Sequence, residues 1–213
     1  MKKEIILIGG GGHCKSCIDV IEAEEKFKIA GVVEVKEKSH KVSGYEIIGC
    51  DEDLPELAGR YKYFLITIGH IKSASKRKKK FEYLKSLSAV FPVIVSPSAY
   101  VSKNAFIDEG TIVMHKTCIN AGVSIGKNCI INTGVIIEHD ATIKNHCHIS
   151  TGSIVNGECS IGQCTFFGSN SVTSNNIAIA KNTIIGAGSS VIKSISESGT
   201  YVGSPVRMSI GNG

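Results

Sequence analysis

An aliphatic residue recurs at every sixth position through the second half of the 213-residue chain. Of the seventeen positions from Val95 to Val191 taken in steps of six, sixteen are Val, Ile or Phe, and Thr173 is the exception. A helix would show apolar spacings of three and four, and an uninterrupted strand would alternate every two residues. A period of six, with Gly and Asn in between, therefore predicts a short strand followed by a corner, many times over.

Three such strands make one coil of a triangular parallel β-helix, and stacked coils pair about 4.8 Å apart. The aliphatic residue is predicted to point inward, and a mostly small residue four positions later to fit near the corner. Cys129, Cys147 and Cys159 occupy this small position. Buried thiols behave as compact hydrophobic groups, which is the role that we predict for them.

The first half of the chain alternates strand and helix patterns. The apolar run Ile5–Ile8 predicts a buried parallel strand, Gly9–Gly12 a turn, and residues 16–27 a helix. Further apolar runs predict strands at 29–35 and 63–69. The sequence thus indicates an α/β fold with a small Rossmann-like parallel sheet, followed by the β-helix.

Two domains are expected, an α/β domain at 1–92 and a β-helix domain with a C-terminal tail at 93–213. The net charge of +5 comes mainly from the first half, where Ser75 is followed by Lys-Arg-Lys-Lys-Lys. Such a run is usually one solvated face of a helix, although it could also collect an anionic substrate. No nucleic-acid recognition motif or aromatic platform accompanies the run, so nucleic-acid binding is not expected.

The eight cysteines are predicted to be reduced thiols of a cytoplasmic protein. We interpret the N-terminus as a first strand rather than a signal peptide, and no apolar run is long enough for a membrane span. A metal site is not expected, because His13-Cys14 and Cys17 have no second ligand pair nearby.

Two segments carry candidate chemistry. A glycine turn between a strand and a helix can bring backbone N–H groups to a phosphate, although a tight turn without a ligand remains an alternative. On the coil, His139 is the third residue of its hexad and should emerge near a corner, where Asp140 could raise its basicity. An exposed His-Asp pair can also be incidental.

Motifs along the whole chain resemble bacterial sugar acetyltransferases of the PglD/NeuD type, which are left-handed β-helix, hexapeptide-repeat acyltransferases. The matching segments are Ile8-Gly-Gly-Gly-Gly-His13, Ile68-Gly69, Ile130-Ile-Asn-Thr-Gly134, Ile137-Glu-His-Asp140, His148-Ile-Ser-Thr-Gly152 and Tyr201-Val-Gly-Ser-Pro-Val-Arg207. The resemblance implies an enzyme in which His139 is the general base and Asp140 raises its basicity.

The resemblance also implies binding residues for two substrates. Acetyl-CoA, as co-substrate, would contact His148, Gly157, Ser169 and Ala187. The sugar nucleotide would contact Gly11, Gly12, His13 and Gly69, with Glu34 standing where many relatives carry Asp. Gly157 follows His139 by one 18-residue coil, and Ala187 follows Ser169 likewise on a different corner. The homotrimer of the family would bring the two corners together, so active sites are expected between subunits.

The implied function is N-acetylation of the amino group of a nucleotide-linked 4-amino sugar in glycan or surface-polysaccharide biosynthesis. One alternative is O-acetylation of sialic acid or a similar nonulosonic acid by the same residues. The other is a non-catalytic trimeric scaffold that binds a sugar nucleotide. The intact His139–Asp140 pair argues against the scaffold.

Overall fold

The computed structural model describes residues 2–35 and 40–208, which form an α/β sheet followed by a stack of short parallel strands. Residues 209–213 of the predicted C-terminal tail lie outside the described residues. Within the described part of the chain, no helix has the length and apolar content needed to cross a membrane.

The described residues of the α/β part, 2–35 and 40–92, contain five strands, three helices and one 3₁₀ turn. They are β1 (Lys3–Ile8), α1 (Gly12–Glu24), β2 (Phe27–Val33), β3 (Lys41–Val42), β4 (Tyr45–Gly49), the 3₁₀ turn (Asp51–Asp53), α2 (Leu54–Arg60), β5 (Tyr63–Ile66) and α3 (Ser75–Ser86). The sheet order is β3-β4-β2-β1-β5, and all neighbours are parallel except β3 and β4. β1 is an interior strand between β2 and β5, which explains why Ile5–Ile8 are buried throughout.

The predicted bounds of the first helix were wrong, and one hairpin in this part was not predicted. Helix α1 begins at Gly12 rather than at residue 16, because the first turn already closes with the Cys14 N–H donating to the Gly11 carbonyl. It ends at Glu24, since Glu25 is left-handed with φ 60°, and Phe27 belongs to β2 instead. The β3–β4 hairpin was not predicted. Its two turn residues, Ser43 and Gly44, both have positive φ, which matches the twist of a tight hairpin.

Residues 93–208, the second part as far as the structure describes it, contain nineteen short strands. They are β6 (Ile94–Val95), β7 (Tyr100–Val101), β8 (Phe106–Ile107), β9 (Ile112–Val113), β10 (Cys118–Ile119), β11 (Ser124–Ile125), β12 (Ile130–Ile131), β13 (Ile136–Ile137), β14 (Thr142–Ile143), β15 (His148–Ile149), β16 (Ile154–Val155), β17 (Ser160–Ile161), β18 (Phe166–Phe167), β19 (Val172–Thr173), β20 (Ala178–Ile179), β21 (Ile184–Ile185), β22 (Ser190–Val191), β23 (Thr200–Val202) and β24 (Arg207–Met208).

These strands form three sheets, one for each side of a prism. Paired residues are eighteen apart, as Cys118 with Ile136 and Ser124 with Thr142, which confirms the predicted coil. The second residue of each pair points inward, and the core includes Ile119, Ile137 and Val155. Thr173, the exception in the repeat, is also buried, and its hydroxyl accepts a hydrogen bond from the Asn156 N–H at 2.9 Å.

The outward residues distinguish the three faces. The covered face packs under the α/β part and carries the buried Ile94, Ile112, Ile130, His148 and Phe166. The aliphatic face carries Tyr100, Cys118, Ile136, Ile154 and Val172. The polar face carries Ser124, Thr142 and Ser160, with Phe106 and Ala178 at its two ends.

Several residues at the small position of the hexad also form a hydrogen bond to the next coil. Cys129, Cys147 and Cys159 are buried as predicted, and each thiol contacts the carbonyl fifteen residues later, at 3.2, 3.1 and 3.0 Å. Ser153 and Ser171 donate to the equivalent carbonyls at 2.7 and 2.8 Å. Thr, Ser and Cys therefore recur here because a short donor can bridge consecutive coils.

Backbone geometry at the corners is equally regular. Fourteen consecutive corners, from Gly110 to Gly188 in steps of six, contain one residue with φ between 52° and 74°. Gly, Asn and Asp adopt this left-handed conformation most readily, which explains the Gly and Asn content of the repeat. Asp140 occupies one of these corners with φ 59°.

Candidate active site

A cavity of about 320 Å³ opens at the edge of the α/β sheet where the parallel strands end. This edge is the usual ligand site of such sheets. All five residues predicted to bind the sugar nucleotide line the cavity, namely Gly11, Gly12, His13, Glu34 and Gly69. The structure thus brings together residues that lie up to 58 positions apart in the sequence, and their role in binding remains a prediction.

The glycine turn is shaped by close backbone packing at one end and open space at the other. Gly9 has φ 105°, and a Cβ atom there would lie 2.5 Å from Ile68 Cγ1, so no larger residue fits. The Thr67 hydroxyl donates to the Gly9 carbonyl at 2.6 Å. Cβ atoms added at Gly11 and Gly12 would meet nothing within 4 Å. The turn therefore leaves its backbone accessible from the cavity.

Glu34 lies at the end of β2 and faces this turn. Its carboxylate accepts hydrogen bonds from the Gly10 N–H at 2.6 Å and from the Val35 N–H at 3.0 Å. The longer side chain of Glu, compared with Asp, is folded back onto the backbone by these two bonds. Glu34 thus fixes the shape of the turn in addition to lining the cavity.

The basic run on α3 is not a uniformly solvated face. Lys76 and Lys80 line the cavity, and Lys80 forms an ion pair with Asp51 at 2.6 Å. Arg77 is fully buried. The interpretation of this run as one solvated helix face was therefore wrong for Arg77, whereas Lys76 is exposed as expected. The spacing of four between the two lysines was the signal in the sequence that could have indicated a shared face.

A cluster of aromatic rings lies where the α/β part meets the covered face. The His148 ring is centred 6.2 Å from His13, 5.5 Å from His70 and 5.2 Å from Phe166. His13 also lines the cavity, and its Nε2 is 3.4 Å from the thiol sulfur of Cys17. His148 is thus buried beside the residues predicted to bind the sugar nucleotide.

Hydrogen bonds define the tautomer of His148. The Thr133 N–H donates to Asn132 Oδ1 at 2.8 Å, which directs the Asn132 amide nitrogen toward His148 Nε2 at 3.3 Å. With Nε2 as acceptor, the proton lies on Nδ1 and is donated to the His70 carbonyl at 2.8 Å. His148 is therefore held as a neutral ring.

Burial keeps the histidines of this junction neutral. It lowers the pKa of His13 and His70 to about 3, and that of His146 and His148 to about 4. The buried guanidinium of Arg77 adds to the lowering at all four rings. A group whose pKa falls on folding destabilises the fold once the solution becomes acidic enough to protonate the unfolded chain.

Acid should therefore destabilise the protein well above the pH at which carboxylates titrate. Below the ordinary histidine pKa of 6.5, the unfolded chain binds protons that the folded chain excludes. At pH 5 a ring such as His70 should cost about 2 kcal/mol of stability. We expect the melting temperature to change little between pH 8 and pH 7, to fall from there to pH 5, and to fall less in His70→Phe, which retains the ring volume. A melting temperature that is flat or higher at pH 5 would contradict this prediction.

His139 and Asp140 lie at the corner between the aliphatic and polar faces. Both side chains are more than half exposed, and His139 Nδ1 is 3.0 Å from Asp140 Oδ2. This hydrogen bond and the nearby carboxylate charges raise the pKa of His139. With Nδ1 donating to Asp140, Nε2 is left with a lone pair, which is the arrangement of a general base.

Gly157 lies directly against this ring. A Cβ atom at Gly157 would be 2.6 Å from His139 Nε2 and 2.7 Å from Cε1. Only glycine leaves the ring in place, because real Cβ atoms do not approach other atoms this closely. Ser169 and Ala187 lie at a second corner, between the covered and aliphatic faces, where the Ser169 hydroxyl bonds that of Ser150 at 2.8 Å.

The residues predicted for catalysis and for binding acetyl-CoA therefore occupy three separate places within one chain. His139 and Gly157 share one corner, Ser169 and Ala187 share another, and His148 is under the α/β part. Sequence reasoning did not single out Asn132 or His70, and it included the two cavity lysines only as part of the basic run that could collect an anionic substrate. The Asn of the Ile130–Gly134 motif was visible as part of a match, whereas the contact between His70 and His148 spans 78 residues.

Comparisons with known proteins agree with this architecture. Residues 4–84 match the family model of the PglD N-terminal domain. The chain is 34% identical over 114 residues to UDP-N-acetylbacillosamine N-acetyltransferase of Bacillus subtilis, a match that covers 53% of this chain. The matched segment spans about half the length of that curated relative, 51%.

Two solved structures are similar over nearly the whole chain. One is a histidine-to-asparagine variant of perosamine N-acetyltransferase from Caulobacter crescentus in complex with CoA and GDP-perosamine. It has a TM-score of 0.92 and 28% identity, with 98% of this chain and 97% of that chain covered. The other is the acetyltransferase domain of PglB from Neisseria gonorrhoeae, with a TM-score of 0.91, 23% identity and coverage of 97% and 100%, which bears on the fold alone. The predicted fold class, an α/β sheet followed by a left-handed parallel β-helix, is confirmed.

Proposed function

We propose that this chain is a bacterial sugar acetyltransferase of the PglD type, which transfers the acetyl group of acetyl-CoA to the amino group of a nucleotide-linked 4-amino sugar. The observation that carries the proposal is the exposed His139–Asp140 pair, whose Nε2 faces the side chain-free Gly157. The names of the relatives support the substrates, since one structure holds CoA and GDP-perosamine. We place the reaction in glycan biosynthesis in the cytoplasm.

His139 acts as the base in the proposed reaction. The sugar amine attacks the thioester carbonyl carbon, a C–N bond forms, and His139 Nε2 takes the proton that the nitrogen loses. The C–S bond then breaks, and the proton passes from His139 to the departing thiolate of CoA. Asp140 keeps the ring in the correct tautomer and stabilises its protonated form. General base catalysis of this kind contributes about 10²–10⁴-fold to a rate.

The two parts of the chain divide the substrates between them. Residues 1–92 present the sugar nucleotide in the 320 Å³ cavity, with Gly11, Gly12 and His13 along one wall. Residues 93–213 bind acetyl-CoA, with Gly157, Ser169 and Ala187 at the corners of the coil. The buried, neutral His148 lies beside His13, where the two parts of the chain meet.

A homotrimer would complete this site. The aliphatic face exposes Ile136, Ile154 and Val172 in part, whereas the covered face is already packed and the polar face is rich in hydroxyls. The His139 corner borders one edge of the aliphatic face, and the Ser169 corner borders the other. Three chains that meet through this face would bring the His139 corner of each next to the Ser169 corner of its neighbour. Burial of the aliphatic side chains would drive the association.

Replacing Ile154 with glutamate should dissociate the assembly, because it would place a charge within the proposed interface. In analytical ultracentrifugation, the wild-type protein should have three times the 22.7 kDa mass of one chain. The Ile154→Glu variant should have the mass of a single chain. Ser160→Glu is the matched control, since Ser160 points outward from the polar face of the same coil. A wild-type chain that sediments as a monomer would contradict the proposed trimer interface.

The function itself is tested by supplying acetyl-CoA with a panel of acceptors and measuring release of the CoA thiol. We expect turnover with UDP- or GDP-linked 4-amino sugars, and an acetamide product by mass spectrometry. Turnover only with sialic acid or CMP-sialic acid would overturn N-acetylation in favour of O-acetylation. No binding of acetyl-CoA in any combination would favour the non-catalytic scaffold.

A further inference from the structure

Helix α3 places a pair of lysines in the same cavity as the glycine turn. Lys76 and Lys80 are one helical turn apart, so they lie on the same face of α3. Both line the cavity that is also lined by Gly11 and Gly12. A ligand that fills the cavity would therefore meet both open backbone and ammonium groups.

Arg77 fixes the rotation of α3 that makes this arrangement possible. Its guanidinium is fully buried and donates to the carbonyls of Ile66, Ile68 and Asn128. These bonds attach α3 both to the end of β5 and to the β-helix. Because Arg77 points into the protein, Lys76 and Lys80 are turned toward the cavity, and Lys79 is left in solvent.

The charges of the cavity leave one cation available. Lys80 is neutralised by Asp51 at 2.6 Å, and Glu34 is engaged by two backbone N–H groups on the far side. Within residues 2–35 and 40–208, Lys76 has no ion-pair partner, and it is exposed to solvent. An anionic group between Lys76 and the glycine turn would contact a positive charge that nothing in the described chain satisfies.

We infer that Lys76, assisted by Lys80, binds the diphosphate of the acceptor, so that the site selects nucleoside diphosphate sugars over nucleoside monophosphate sugars. The inference rests on the proposed function and adds a specificity determinant to it. A compact ammonium group interacts with phosphate as a point charge, so a second phosphate within reach adds directly to affinity. The preference should weaken as salt screens the exposed lysine.

Calorimetric titration with nucleotides alone tests the inference. Probes are UDP and UMP, and GDP and GMP, with the wild-type chain and the variants Lys76→Gln and Lys76→Glu. We expect at least one wild-type diphosphate to bind about tenfold more tightly than its monophosphate, as one charge-assisted contact allows. Lys76→Gln should remove most of this preference and leave monophosphate affinity within about threefold. Lys79→Gln, on the solvent side of the same helix, is the matched control and should behave as wild type.

The outcomes separate this inference from the proposed function. An unchanged ratio of diphosphate to monophosphate affinity in both Lys76 variants would overturn the inference, and a wild-type chain without any diphosphate preference would do the same. Acetyl transfer to a nucleotide sugar could still occur in either case. Conversely, a Lys76-dependent preference in a chain that releases no thiol would support the diphosphate site and contradict the enzymatic proposal.

Discussion

Replacing His139 with alanine should slow acetyl transfer by about 10²–10⁴-fold while the chain remains folded and still binds acetyl-CoA. The loss follows from removal of the one nitrogen proposed to take the proton of the sugar amine. The side chain is more than half exposed and packs into no core, so its removal should change the melting temperature little. Steady-state kinetics with a 4-amino-sugar nucleotide, together with calorimetric binding of acetyl-CoA, measures both expectations. Turnover within about threefold of wild type would remove His139 from the mechanism.

Asp140→Asn provides the companion to this variant. The corner requires a left-handed residue, and Asn adopts φ 59° as readily as Asp, so the fold should be retained. Asp140 raises the pKa of His139, and a general base works only above its pKa. Loss of the carboxylate should therefore move the acidic limb of the kcat/KM profile to lower pH. A limb that stays in place would show that Asp140 does not tune the base.

Gly157→Ala should lower turnover by about 10²-fold or more, although the substitution itself removes no group that is proposed to donate or accept a proton. The new methyl group would lie 2.6 Å from His139 Nε2, so the ring would have to move. A misplacement of about 1 Å can cost 10²-fold in rate. Kinetics on the purified variant measures the loss, and an unchanged KM for acetyl-CoA would assign it to the ring.

A double mutant distinguishes this explanation from general damage. Once His139 is alanine, the methyl group at residue 157 has no ring to displace, so Gly157→Ala should cause almost no further loss. Gly59→Ala is the control for the glycine substitution itself, since a Cβ atom at Gly59 meets nothing within 4 Å. Additive losses in the double mutant would mean that Gly157 acts in some other way than by leaving space for His139.

The β-helix could be predicted closely from the sequence because its contacts repeat at a fixed interval. A side chain in one coil lies against residues eighteen positions away, so the six-residue period contains both the strand positions and the direction of each inward residue. The α/β part lacks such a constraint. The start of α1 at Gly12 depends on backbone hydrogen bonds in a glycine-rich turn, and no apolar spacing marks it.

The candidate site shows the same contrast. His139 and Asp140 are adjacent, and a known corner position was enough to predict that they emerge together. Every residue from 76 to 80 is cationic, so the spacing of four predicts that Lys76 and Lys80 share a helix face, but no apolar pattern shows which face is turned to the cavity. That choice is made by Arg77, whose carbonyl partners include Asn128, 51 residues away. The burial of His148 likewise depends on packing between the two parts of the chain.

Because the coils stack in register, the number of coils between two corners sets the axial distance between them. Removing one complete coil of eighteen residues between His139 and Ala187 would shorten the axial distance between them by about 4.8 Å, and every later corner would return to its own column. Removing six or twelve residues would instead turn all later corners onto another side of the prism. In the proposed trimer, the length of acetyl donor that fits between the two corners can thus change only by whole coils.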